Sequence, residues 1–243
     1  MPHLTVLAAN LHNERRAVTY LRNRSRADAL EHYGIGLITE AHKRSKALSN
    51  FQGHDYYTGP RDGGTRPGRL TGNLTQDAGI LLDTRLPNLG HGYQFLSPAD
   101  PGSPHIGHER WGQVLLTEFG DTKIAVVCLH PIPKPTGPER RERYAMAMRW
   151  LEATIAAHRA QGHEVVAGGD LQVRVHANPQ WSPKPIFAEN RMDWHWHGID
   201  VIAWTPGLRL ADRPQPRVLD DFKKATGHYW LKVALEVNPK RTR

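Results

Sequence analysis

The sequence predicts an α+β domain, and three observations carry that prediction. Short apolar runs of strand length recur along almost the whole 243-residue chain, only two stretches have helical character, and two adjacent strand-like runs are joined at Gly120 and Asp121 by a two-residue hairpin signal. Nothing in the composition divides the chain into unlike halves, so a single domain over residues 1–243 is expected.

Residues 4–9 read as the first strand, ending at Asn10. A basic segment, 14–33, then has helical character: Asn13 suits the N-cap, Glu14 the first turn and Gly34 a stop, although the polar run 22–26 weakens the pattern. Residues 35–39 form a second buried strand with Glu40 at its end. Residues 51–58 suit a further strand. The segment 59–77 holds five glycines, two prolines and three arginines without apolar period, and fits a phosphate-contacting arm and a solvated loop equally well. Residues 78–82 resume the strand pattern, and 111–119 and 122–129 are the two arms of the hairpin, with His130 where the second arm ends.

After a proline-rich connection, residues 139–161 predict a helix. Tyr144, Met148, Leu151 and Ile155 share one face, the charges lie elsewhere, and Gly162 can end it. Val165, Val166 and Ala167 suit a buried strand, after which Gly168 and Gly169 allow a sharp turn that brings Asp170 to the surface of a site. Residues 173–196 read as a loop rich in Pro, Trp and His. Another strand follows over 198–204, with Asp200 inside it. Residues 213–228 form a polar connection, and 229–237 the final strand, preceded by His228.

Thirty-two Lys and Arg against 24 Asp and Glu give a formal charge of +8, which favours polyanionic partners. The start of the chain has neither the basic region nor the apolar length of a secretory signal or membrane span, so a cytoplasmic protein without membrane association is expected. A lone Cys128, set in an apolar run, excludes an intrachain disulfide and suits a packed thiol.

Asn10, Glu40, His130, Asp170, Asp200 and His228 all fall at or near strand edges, where a sheet-built enzyme converges its reactive groups. Each alone is as well read as a turn cap or a surface side chain; their order carries the weight. Strand-Asn, strand-Glu, strand-His-Pro, Gly-Asp-x-Gln, Ile-Asp-Val-Ile and Gly-His before a last strand together resemble the endonuclease/exonuclease/phosphatase superfamily over residues 4–237. That resemblance implies a four-layer α/β/β/α sandwich of two packed, mostly antiparallel sheets with outer helices. It implies that Glu40 is the principal ligand of a divalent metal, magnesium with manganese as a substitute, and that Asn10 helps to fix the phosphate or the attacking water. It makes Asp170 the acceptor of the water's proton, pairs His228 with Asp200, and sets His130 against the scissile phosphate as a positive or hydrogen-bonding group.

Two positions depart from the superfamily pattern. Gln172 stands where Asn is usual, and Gly227 stands where an Asp usually precedes the final His; Asp220 or Asp221 are the nearest substitutes. The resemblance implies a metal-dependent phosphoesterase, and the +8 charge, the basic 59–77 segment and the aromatic and basic insert at 173–197 favour a nuclease acting on DNA or RNA; a monomer is expected. A non-catalytic nucleic-acid-binding relative, or a phosphatase for a phosphoinositide or another soluble phosphoester, are the alternatives. His12 is a further candidate beside Asn10, and His195 and His197 would share a face if extended, as half of a zinc site or as a stacking element.

Overall fold

Every residue of the first strand, β1 (Leu4–Asn10), is buried, which requires both faces of its sheet to be covered. In the computed structural model, Leu4, Val6 and Ala8 point into a core shared with a second sheet, and Leu7 and Ala9 point the opposite way, into a cluster with Ala17, Val18, Leu21 and Trp230. The structure describes residues 3–12, 17–19, 21, 34–41, 48, 51, 53–58, 78–97, 110–132, 137–174, 181–212, 216–219 and 228–238.

The first sheet contains β1, β2 (Ile35–Thr39), β3 (His54–Thr58), β4 (Ala78–Asp83), β11 (Leu208–Leu210), β12 (Arg217–Leu219) and β13 (Trp230–Val237), in the order β11-β13-β1-β2-β4-β3 with β12 also on β13. The second contains β5 (Gly90–Ser97), β6 (Arg110–Phe119), β7 (Thr122–Cys128), β8 (Glu164–Asp170), β9 (Asp193–His197) and β10 (Asp200–Trp204), in the order β5-β6-β7-β8-β10-β9. Each sheet has one parallel pair, β1 with β2 and β7 with β8, flanked by antiparallel strands. The two sheets thus repeat one plan that no matching residue pattern betrays. Leu37, Ile80 and Val233 of the first meet Leu115, Val126, Val166 and Ile202 of the second in the shared core.

Helix α1 (Pro138–Ala160) joins β7 to β8 and covers the second sheet's outer face with Ala147, Leu151 and Ile155 against Ala125, Val127, Val165 and Ala167. Its buried stripe takes Ala147 where Met148 was expected, because Met148 lies half-buried at the margin. A short helix, α2 (Lys184–Glu189), adds Ile186 and Phe187 to the same layer. Helical residues 17–19 lie outside the first sheet, so the order is helix, sheet, sheet, helix, as expected of an α/β sandwich.

Several boundaries differ from the sequence reading. Strand β8 continues through Gly168 and Gly169 to Asp170, so these glycines make no turn before the acid. A Cβ on Gly168 would lie 2.1 Å from the carbonyl oxygen of Val201, and one on Gly169, at φ +126°, 2.4 Å from that of Leu129; the glycines let neighbouring chain segments approach closely. Asp200 opens β10 rather than sitting inside it. Strands β9 and β12 and helix α2 arise where loops were expected, and β5 and β11 in stretches to which the sequence reading assigned no element. Most of the predicted first helix with Asn13, the 59–77 segment, Asp220, Asp221 and Gly227 lie outside the described residues.

Candidate active site

Both parallel pairs deliver side chains to the same end of the sandwich. Asn10 and Thr39 are register partners at the ends of β1 and β2, Glu40 follows immediately, and His130 stands two residues beyond β7, which runs parallel to β8. Asp170, the last residue of β8, faces Asp200, the first of antiparallel β10. His228 precedes β13, the neighbour of β1. Three groups therefore come from each sheet.

Asn10 ties them together. Its Nδ2 donates to Glu40 Oε1 at 3.1 Å and to Asp170 Oδ2 at 2.8 Å, a buried bridge from one sheet to the other. Its Oδ1 accepts the backbone N–H of His12 at 2.8 Å, and its carbonyl accepts the indole N–H of Trp230 at 3.0 Å. The backbone N–H of Gln172 donates to Asp170 Oδ1 at 2.9 Å. Asp170 Oδ2 also lies 3.7 Å from His130 Nε2 and 3.8 Å from His228 Nδ1, and the same His228 atom lies 3.8 Å from Asp200 Oδ2. Asp200 Oδ1 is buried without a hydrogen-bond partner among the described residues.

The backbone here is strained. His12, Glu40 and Gln172 adopt φ of +45°, +51° and +61°, a region that costs a non-glycine residue roughly 1–2 kcal/mol. Strain of this kind persists where surrounding contacts over-determine the geometry, as the Asn10 and Asp170 bonds do here.

Arg110, which the sequence reading passed over as the polar residue before a strand, is buried at the head of β6. Its Nη1 lies 2.6 Å from His130 Nδ1, and the side-chain amide of Gln172 lies 2.7 Å from His130 Nε2. A guanidinium only donates, so Nδ1 must accept and Nε2 must carry the ring proton; the amide atom facing Nε2 then acts as the carbonyl oxygen. Burial and the adjacent Arg110 push His130 down to about 4, against the pull of Asp170 and Glu40. The ring is therefore neutral at pH 7, a form that suits a hydrogen-bonding group rather than a charged one. Burial lowers Arg110 to about 10, which leaves it charged.

Glu40, Asn10, His130, Asp170, Gln172, Asp200 and His228 thus converge, as the sequence reading required. His12 is adjacent, its ring 6.2 Å from that of His228. His195 and His197 do share a face of β9, and His197 stands opposite Asp200, but no metal-holding group among the described residues includes either.

No protein-family model and no curated protein matches the sequence. Solved structures do. An endonuclease/exonuclease/phosphatase family protein from Bacteroides thetaiotaomicron superposes with a TM-score of 0.71 at 14% identity, over 99% of this chain and 97% of that one. The chain has the endonuclease/exonuclease/phosphatase fold. A mannosyl-6-phosphatase from the same organism aligns with a TM-score of 0.69 at 16% identity, over 96% of this chain and 99% of that one. The human Nocturnin catalytic domain, with bound sulfate, gives 0.67 at 13%, over 98% of this chain and 94% of that one.

Within this endonuclease/exonuclease/phosphatase fold, two overlapping groups have ligand atoms mutually within 4.8 Å: Glu40, His130 and Asp170, and Asp170, Asp200 and His228. Both nitrogens of His130 are engaged, so the donors at the first group are carboxylate oxygens. That set fits a hard divalent cation. Burial alone would raise Glu40, but His130, the Asn10 amide, His228 and His12 hold it below its ordinary value, an anion ready for a cation. Burial pushes Asp200 up to about 7, opposed by His228 and reinforced by Asp170. His228 is itself raised: its burial is outweighed by Asp200, Asp170 and Glu40. The pair retains a proton close to neutral pH.

Proposed function

We propose that the protein is a divalent-metal-dependent phosphoesterase that hydrolyses nucleic-acid phosphodiester bonds with an activated water. The observation that carries this reading is the Asn10 bridge, which holds Glu40 and Asp170 side by side from different sheets. Glu40, with Asp170 nearby, would hold magnesium or manganese. When bound, the ion neutralises charge that builds on the phosphoryl oxygens and the leaving group.

The chain's own residues supply the rest. Asp170 orients the attacking water and takes its proton. His228, whose proton affinity Asp200 and Asp170 raise, faces the phosphate as a hydrogen-bond donor. His130 offers a neutral Nε2–H, released when the Gln172 amide turns aside. Asn10, with both ends of its amide committed, positions the two acids.

The +8 charge and the arginines at 61, 66 and 69 favour a nucleic acid over a small anion. The likeness to a mannosyl-6-phosphatase supports the second reading, a phosphatase for a soluble phosphoester. The two separate on incubation of the purified protein with plasmid, single-stranded DNA, RNA, a sugar phosphate and bis(4-nitrophenyl) phosphate, with magnesium or EDTA. Metal-dependent cleavage of a nucleic acid, lost in Asp170→Asn and His228→Ala, is the expected result. Release of phosphate from the sugar phosphate alone favours the second reading, and turnover indifferent to both substitutions would sink the site assignment.

A further inference from the structure

Among the described residues strand β5 is an edge strand, paired only with β6, and residues 86–97 carry no charged side chain although 23% of the chain is charged. Exposed edges are ordinarily guarded by charge or proline. Here His91, Tyr93 and Phe95 lie across from Leu115, Gln113 and Trp111 of β6. That face elsewhere forms the core between the sheets, to which Leu115 belongs. At this margin the first sheet ends with β3, and Tyr93 and Phe95 remain 49% and 38% exposed.

The rings form an unbroken row. Centroids of Tyr57 and His91 are 5.3 Å apart, His91 and Tyr93 6.0 Å, Tyr93 and Trp111 5.8 Å, and Trp111 and Phe95 5.1 Å. Trp111 meets Tyr93 at 76° and Phe95 at 70°, edge contacts that fix both rings without stacking on them. Phe95 and Trp111, at one end of the row, lie at the end of β6 where the preceding residue, Arg110, touches His130.

We propose that this row is a stacking track for unpaired bases, which makes single-stranded nucleic acid the substrate and leads its backbone to Asp170 and Glu40. The proposal rests on the nuclease reading above. Aromatic faces accept any base, and the Trp111 end of the row lies at the same end of β6 as Arg110, which touches His130. A second copy pairing along β5 would bring two chains of charge +8 together, whereas a polyanion is drawn to that charge.

The test uses the full chain. In an Asp170→Asn background, fluorescence anisotropy measures affinity for a labelled oligothymidine and for an abasic oligomer of equal length and charge. Combined Tyr93→Ala and Phe95→Ala should weaken the oligothymidine complex by about tenfold or more while leaving the abasic complex unchanged. Tyr93→Leu with Phe95→Leu, which keeps apolar bulk, should lose as much. In the active protein the same pairs should raise KM for single-stranded substrate and leave bis(4-nitrophenyl) phosphate turnover unaltered. Equal weakening of both oligomers, or of neither, overturns the track. So does sedimentation showing a wild-type dimer that the double substitution makes monomeric, since a second copy then occupies the strand. If wild type cleaves single strands and the double variants behave like it, the track fails and the nuclease reading stands. If wild type acts only on the sugar phosphate, both fall.

Discussion

Arg110 decides which form of His130 the site contains. Arg110→Met should release the proton preference of the ring, visible as a change in the imidazole 15N shifts, and lower turnover, whereas Arg110→Lys should restore the Nε2–H form wherever its ammonium reaches Nδ1. Leaving a buried Nδ1 without its donor costs about 1–3 kcal/mol besides. On the proposed mechanism Asp170→Asn keeps the shape and removes the base, so turnover should drop by roughly 10²–10⁴ with the melting temperature held or raised. Stability in EDTA should carry the mark of the buried groups. His130, lowered from 6.5 to about 4, binds fewer protons folded than unfolded, so it adds stability as pH rises across that window. Asp200, raised from 3.8 to about 7, binds more protons folded and removes stability as pH rises across its own. The two oppose each other up to about 6.5, above which Asp200 and the raised His228 act together and stability falls. Asp200→Asn should unmask the rise between 4 and 6.5, as thermal melts at stepped pH would read. These roles were only half legible in the sequence. The acids announce themselves at strand ends, but Arg110 looks like any polar residue before a strand until β6 pairs with β7 and turns it onto His130.

Among the elements, β8 is the one whose chemistry depends most on its backbone. Gly168→Ala would drive a methyl into the Val201 carbonyl, and because backbone cannot yield as a side chain does, a loss of about 1–3 kcal/mol or more is expected from urea unfolding. The glycines were visible in the sequence with the wrong reason attached: a turn was the local reading, and crowding by β7 and β10 is the tertiary one. Strand β1 was legible as a continuous apolar run, the hairpin from its two-residue turn at Gly120 and Asp121, and helix α1 from an apolar face at helical spacing. Strand β5 was not, since an exposed edge with Gly90 and Gly92 has no apolar alternation to read. Strands β11 and β12, three residues each, are shorter than any period can register.

At the scale of the molecule, the two sheets repeat one topology and meet so that the open ends of both parallel pairs converge. Affinity for an oligonucleotide should fall steeply and linearly on logarithmic axes as salt rises, if the +8 charge is spent on phosphates; a flat salt titration would point to a small neutral-bodied substrate instead. The sequence by itself determined the mixed class, the strands buried on both faces, the net charge and the identity of the acids and histidines, because burial and chain reversal leave local signatures. Only the tertiary structure decided that Asn10 spans the sheets, that Arg110 fixes His130, that the glycines of β8 serve close approach, and that rings from β3, β5 and β6 join in one row. Those are contacts between residues distant in the chain, and no local pattern encodes a distance that only packing creates.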